Sequence, residues 1–185
     1  MKKIFRYFFF TVYSSFFITF LSYIIQYENP LYHPVKNYNY NSLQNLISGS
    51  AKIIDGDSIS INGNEIRLYG IDAPEISQKC FNNDHNIYKC GIISKNYLKS
   101  LIGDNFVKCF YQKKDVYDRY LANCYIGNDN INYKMIESGM AIIYNPITNN
   151  DQMLHNLEDN AKRNKKGIWG GYFMIPKSYR KYNKY

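Results

Sequence analysis

The chain has 185 residues, with 23 Lys and Arg against 15 Asp and Glu, a formal charge of +8. At about 100–200 residues per domain this is one globular domain plus an appendage, large enough for a core without metal or disulfide staples. Aromatic residues at 17% exclude wholesale disorder, and a single long apolar run excludes collagen, coiled coil and a polytopic membrane protein.

Residues 7–27 carry no charge and are dominated by Phe, Ile, Leu and Tyr. As a helix rising about 1.5 Å per residue, they cover the roughly 30 Å hydrocarbon core of a bilayer. Lys2, Lys3 and Arg6 precede the run and Glu28 follows it, which places the N-terminus in the cytoplasm and the remainder outside. Residues 1–27 are therefore expected to be a signal anchor, a transmembrane helix. A cleaved signal peptide is the alternative, although the run exceeds the usual 7–15 apolar residues and lacks an A-x-A-like site; a buried helix of a soluble core is the third reading. Residues 28–48, rich in Asn, Tyr and Pro, read as a linker.

From Ala51 the pattern is β. Ile59 and Ile61 alternate with Ser58 and Ser60, Asn62-Gly63 signals a tight turn, and Ile66 and Leu68 alternate with Arg67 and Tyr69. This is a hairpin with one apolar face. Residues 72–90 read as a long polar loop containing Pro74. Residues 92–101 have helical spacing, with Ile93, Tyr97 and Leu101 four apart. Residues 106–111 and 121–126 read as strands, 132–139 as a short helix stopped by glycine, and 141–144 as strand-like. Residues 151–166 form an amphipathic helix with Leu154, Leu157 and Ala161 on one face and Gly167 as its stop. The fold class is α+β, mainly β: a five-stranded Greek-key barrel with about three helices, preceded by one N-terminal hydrophobic helix.

The charge is concentrated at the ends. Residues 31–169 hold 16 bases and 14 acids, whereas the tail after Trp169 holds Lys177, Arg180, Lys181 and Lys184 with no acid. Residues 172–185 thus form a basic Tyr/Lys-rich tail, either a grip on nucleic acid or anionic lipid or a solvated end. Cys80, Cys90, Cys109 and Cys124 form an even set without C-x-x-C spacing. Of three connectivities, 80–90 with 109–124 is preferred, and disulfides fit an oxidising compartment; four reduced core thiols are the alternative.

Within Ile54-Asp55-Gly56-Asp57-Ser58 and Ile66-Arg67-Leu68-Tyr69-Gly70-Ile71-Asp72-Ala73-Pro74-Glu75, the acids Asp57, Asp72 and Glu75 and the arginine Arg67 fall at the mouth of one hairpin. Ile66 and Leu68 face the core, so Arg67 points the other way, and the hairpin folds position 57 back towards 72. Hard oxygen ligands of this kind suit Ca²⁺ or Mg²⁺ rather than zinc. An ordinary Asp-Gly-Asp turn is the competing reading.

These motifs resemble the thermonuclease (staphylococcal nuclease-like) family. Asp115-Val116-Tyr117-Asp118-Arg119-Tyr120-Leu121-Ala122 resembles its D-x-Y-G-R-x-L-A segment. Ile131-Asn132 with Ile136-Glu137-Ser138-Gly139-Met140-Ala141, and Glu158, Ala161-Lys162 and Lys166-Gly167-Ile168-Trp169, resemble its later motifs in the family order. Counting back from Gly139 places Arg119 on the family arginine and Asp115 on its aspartate, leaving Asp118 where glycine is usual.

The resemblance implies an OB-fold domain at 49–171 and a Ca²⁺-dependent endonuclease. Asp57 and Asp72 resemble the carboxylate ligands of Ca²⁺, with the Ala73 carbonyl as a third. Glu75 resembles the residue that activates or positions the attacking water, and Arg67 and Arg119 the clamps on the phosphate. The resemblance puts Tyr117 near the nucleotide phosphate, and Lys113 and Lys114 are candidates for contact with the backbone. The expected partners are DNA, with RNA as a second substrate, and a membrane through the N-terminal helix, in a monomer whose domain lies on the extracytoplasmic (periplasmic) side or is secreted after cleavage. A non-catalytic OB module binding single strands or a partner protein is the rival, disfavoured by the intact acid–arginine set. His33, His85 and His155 match no catalytic position, and Trp169 reads as a cap on the core.

Overall fold

The computed structural model describes residues 45–183; the expected membrane helix at 1–27 lies outside the described residues. Strand β1 (Leu46–Ile53) begins inside the stretch read as linker. It is followed by β2 (Ser58–Ile61) and β3 (Asn64–Leu68), the expected hairpin, with Ile59 opposite Ile66 and Ser58 opposite Arg67. Asn62 and Gly63 both have positive φ, 51° and 81°, as a two-residue turn matching strand twist requires. Ile59, Ile61, Ile66 and Leu68 are buried.

Strands β4 (Ile71–Asp72), β5 (Cys80–Asn82) and β6 (Ile87–Tyr88) lie within the segment expected to be mostly loop. Helix α1 (Cys90–Ile102) precedes β7 (Phe106–Lys114) and β8 (Tyr120–Ile126). Then come β9 (Asp129–Asn130), α2 (Ile131–Glu137), β10 (Ile142–Ile143), α3 (Gln152–Arg163), β11 (Gly171–Tyr172) and α4 (Pro176–Tyr182). The strands pair in the order β3-β2-β1-β7-β8, and parallel pairing of β3 with β8 closes a five-stranded barrel. β10 pairs with β4, and β11 with β5, which also pairs with β6.

Helix α1 buries a face one residue away from the expected one: Cys90, Ser94, Leu98 and Ile102 are buried, while Ile93 is 44% exposed. Close packing selects this face. A Cβ on Gly91 would stand 1.7 Å from the Glu75 carbonyl oxygen, so the small residue lets the helix lie directly on the acid-bearing loop. Gly139 and Gly167 have φ of 69° and 53° and meet back to back, each with its Cβ position within 2.3 Å of the other segment's main chain. Ile168 N–H donates to the Gly139 carbonyl, so this contact fixes the Gly-Ile-Trp turn against the end of α2. Disulfides link Cys80 to Cys90 and Cys109 to Cys124, the latter directly opposite each other across β7 and β8.

Asn132 is fully buried and holds the barrel together where β3 ends. Its amide donates to the carbonyls of Tyr69 and Ala122 and its oxygen accepts from Cys124 N–H. Asn132→Ala strands buried polar groups and is expected to cost about 2–3 kcal/mol of stability, since each unsatisfied group costs about 1–3 kcal/mol. Urea unfolding checks this; a loss within error of zero would contradict it. Among the described residues no helix is long and apolar enough to cross a membrane.

Candidate active site

The tight hairpin brings Asp57, just before β2, alongside Arg67 in β3, and Leu68 N–H donates to the Asp57 carbonyl at 2.8 Å. After Gly70, with φ of 81°, the chain turns back into β4, and pairing with β10 sets Asp72 opposite Ile142. Asp57 and Asp72 are consequently buried, 3% and 2% exposed. One guanidinium joins them: Arg67 donates to Asp57 Oδ1 at 2.8 Å and to Asp72 Oδ1 at 2.7 Å. Asp57 Oδ1 also accepts from Ser58 Oγ, and Oδ2 accepts from Ala73 N–H at 2.7 Å. The Asp57 N–H donates to Asp55 Oδ1, which keeps a fourth acid beside the group.

Glu75 sits on the loop that α1 presses against. Its N–H donates to the side chain of the fully buried Gln78, whose amide donates in turn to the Met174 carbonyl at 2.6 Å. This links the acid loop to the chain leading into α4. From α4, Arg180 reaches back over the loop. One of its nitrogens donates to Asp72 Oδ1 at 2.9 Å and to Glu75 Oε1 at 2.7 Å, and the other to Asp72 Oδ2 at 3.0 Å.

Arg119 immediately precedes β8. The parallel register sets Arg67 beside Leu121, and alternation along β8 returns Arg119 to the Leu121 side of the sheet. It is held by Asp115, whose Oδ2 accepts from Nε at 2.9 Å and from a terminal nitrogen at 2.7 Å, while Oδ1 accepts from the N–H groups of Tyr117 and Arg119. Asp118 adopts φ of 64°, the conformation that a glycine there would take without strain, and pairs with Lys114 at 2.9 Å. Tyr117 is 72% exposed with the Arg119 guanidinium against its ring, and Lys114 lies over the ring of Tyr120. Arg67, Glu75, Lys113, Lys114, Tyr117 and Arg119 all line one open cleft of about 1440 Å³. Arg119 makes its ion pair with Asp115, not with the Asp57–Asp72 pair.

Two functional groups were not singled out from the sequence alone. Gln78 gave no signal, since a lone buried glutamine has none. Arg180 had one: Pro176 followed by Lys177, Arg180 and Lys181 at one-, four- and five-residue offsets reads as a short helix with its bases on one face.

Burial drives the Asp57 carboxyl up to about 7; Arg67 offsets part of this, and the neighbouring charges of Asp55 and Asp72 add to it. Burial lowers Arg67, but the Asp57 and Asp72 charges outweigh it and raise the guanidinium; at Arg180 likewise, the bonds it donates to Asp72 and Glu75 overcome burial and raise it. Burial raises Asp115, yet the Arg119 and backbone bonds pull it below the usual range. Two buried carboxylates brought together with oxygen donors alone fit a hard divalent cation. Among the described residues no group of three or more His, Cys, Asp or Glu side chains is arranged to hold a metal, so a cation here would rest on two carboxylates completed by main-chain oxygen and water.

The raised Asp57 value has a definite sign. The folded, metal-free chain binds this proton more tightly than the unfolded chain, so stability from this group falls as pH rises from about 4 through about 7. Urea unfolding in chelator is expected to show wild type weakening between pH 5 and 8 and Asp57→Asn weakening less. Equal slopes would contradict the assignment.

Acids and guanidiniums gather on the rim of a closed five-stranded barrel, and the family that this chain matches makes it a nuclease by class, a phosphodiester hydrolase. The family model described as Staphylococcal nuclease homologue matches residues 65–171. The chain belongs to that family. It is 33% identical over 125 residues to the succinoglycan biosynthesis protein ExoI of Rhizobium meliloti (strain 1021), covering 66% of this chain and 64% of that protein. It is 32% identical over 130 residues to an uncharacterized endonuclease of Escherichia coli O157:H7, covering 68% and 78%. With the thermonuclease of Staphylococcus hyicus it shares 26% identity over 126 residues, covering 64% and 72%. Asp57 and Arg180 both lie outside the matched segment.

Proposed function

We propose that this chain is an exported, membrane-anchored, Ca²⁺-dependent endonuclease that cleaves DNA, and RNA as a second substrate, with little sequence preference. The observation that carries the reading is the single guanidinium of Arg67 joining two buried carboxylates at the barrel rim, in the cleft that Arg119 also lines. Asp57 and Asp72, with the Ala73 carbonyl, would hold the cation. Bound there, Ca²⁺ supplies positive charge to the phosphate and acidity to a water.

The chain's own groups do the rest. A phosphodiester gains negative charge as it becomes pentavalent, and fixed guanidinium forks stabilise that charge where it develops. Asp115 fixes the orientation of Arg119 before substrate arrives, so little reorganisation is needed. Glu75, half-exposed at the cleft, accepts a proton from the attacking water. Tyr117, Lys113 and Lys114 extend the wall along which a strand lies, using a ring face and point charges that suit any base sequence. Export and anchoring rest on the residues of the 1–27 segment, and the two disulfides support an oxidising compartment. A monomer is proposed with it.

The test is cleavage of single-stranded and duplex DNA and of RNA by the full chain, with Ca²⁺ and then with excess chelator. Cleavage that chelator stops and fresh Ca²⁺ restores is expected. Cleavage indifferent to chelator would overturn the cation; binding without cleavage under any divalent metal would favour a non-catalytic module.

A further inference from the structure

We propose that Arg180 is a tethered competitor for the cation: in the metal-free chain α4 places its guanidinium on Asp72 and Glu75, and cation binding requires it to leave. The inference rests on the reading of Asp57 and Asp72 as the cation ligands. Arg180 contacts both oxygens of Asp72, at 2.9 and 3.0 Å, and Glu75 Oε1 at 2.7 Å. No other side chain takes Asp72 Oδ2 among the hydrogen bonds of the described residues. A guanidinium and a divalent cation cannot both use the same carboxylate edge, because each needs direct contact with the oxygens and each repels the other. The bond to Glu75 has the same direction of effect, since a carboxylate oxygen bonded to a guanidinium is a poor acceptor for a proton from water.

The contact is built into the fold. The segment leading into α4 is anchored by the fully buried Gln78 through the Met174 carbonyl; α4 itself is tied by Tyr179 to Ser77 and by Lys177 to Asn145. These anchors lie on two different loops and hold the helix over the cleft whichever way the Arg180 side chain points. That side chain is 32% exposed, in contrast to the 15% of Arg67, so it has room to swing out while Arg67 stays. Arg180 lies beyond the segment that matches the family model, in α4.

Calorimetric titration of the full chain with CaCl₂, without nucleic acid, tests this. Arg180→Ala and Arg180→Gln are both expected to bind Ca²⁺ at least tenfold more tightly than wild type. Arg180→Lys, a point charge that cannot grip both carboxylates, is expected to fall between. Lys181→Ala removes the same charge from the same helix without touching Asp72, Glu75 or the anchors of α4, and a change below twofold is expected. Equal or weaker Ca²⁺ binding by Arg180→Ala and Arg180→Gln would overturn the proposal while leaving the cation site intact. An equal gain in Lys181→Ala would also overturn it, by reducing the effect to bulk charge. If neither wild type nor the Arg180 variants bind Ca²⁺, the cation reading fails and the competitor fails with it.

Discussion

Arg67→Ala is expected to lower kcat/KM for phosphodiester cleavage by about 10²–10³-fold, the usual consequence of deleting one preorganised donor to a developing oxyanion. It is expected to be the most destabilising of the site variants as well. Arg67 bonds both Asp57 and Asp72, whose side chains are 4% and 2% exposed, so its removal leaves two buried carboxylates short of a partner. Breaking a buried pair from one side costs about 3–5 kcal/mol. Part of that loss is relieved at low pH, because Asp57 already favours its protonated form. Arg67→Lys keeps the charge but cannot span both oxygens, and it is expected to recover stability more than rate. Steady-state kinetics with urea unfolding at pH 5 and 8 separate the two effects. A variant with wild-type kcat/KM, or one whose stability is unchanged at pH 8, would contradict the bridging role.

Glu75→Gln is expected to show the opposite balance. A group transferring a proton in the transition state contributes about 10²–10⁴-fold, so kcat should fall by that amount. KM and stability should barely move. Glutamine fills the same volume, still accepts from Arg180, and leaves the Gln78 link to the Glu75 backbone in place. A loss confined to KM would instead assign Glu75 to binding.

The parts of the molecule legible in the sequence are those whose signal is local. The β2–β3 hairpin follows from alternation and Asn62-Gly63, and its geometry alone makes Asp57 and Arg67 neighbours. The α3 face of Leu154 and Ala161 follows from helical spacing, with the buried Glu158 satisfied by Ile143 N–H and Lys162. Illegible features depend on contacts distant in sequence. The α1 face is set by Gly91 against the Glu75 backbone, which no periodicity reveals. Strands β5, β6 and β11 are two or three residues long and owe their pairing to the Cys80–Cys90 link and the close approach of Gly171 to Phe81. The tail read as an optional grip because its charge was visible and its path was not. Arg180 meets Asp72 across 108 residues, and only the route of the chain past Gln78 brings them together.

The rim cluster is where the phosphodiester bond is expected to break. Single-turnover cleavage of a labelled single-stranded oligodeoxynucleotide by the full chain carrying Glu75→Gln and Arg119→Ala together, in saturating Ca²⁺, tests it most directly. Cleavage indistinguishable from the uncatalysed background is predicted, because both groups act on the same transition state. Cleavage within tenfold of wild type would place the chemistry elsewhere on the molecule.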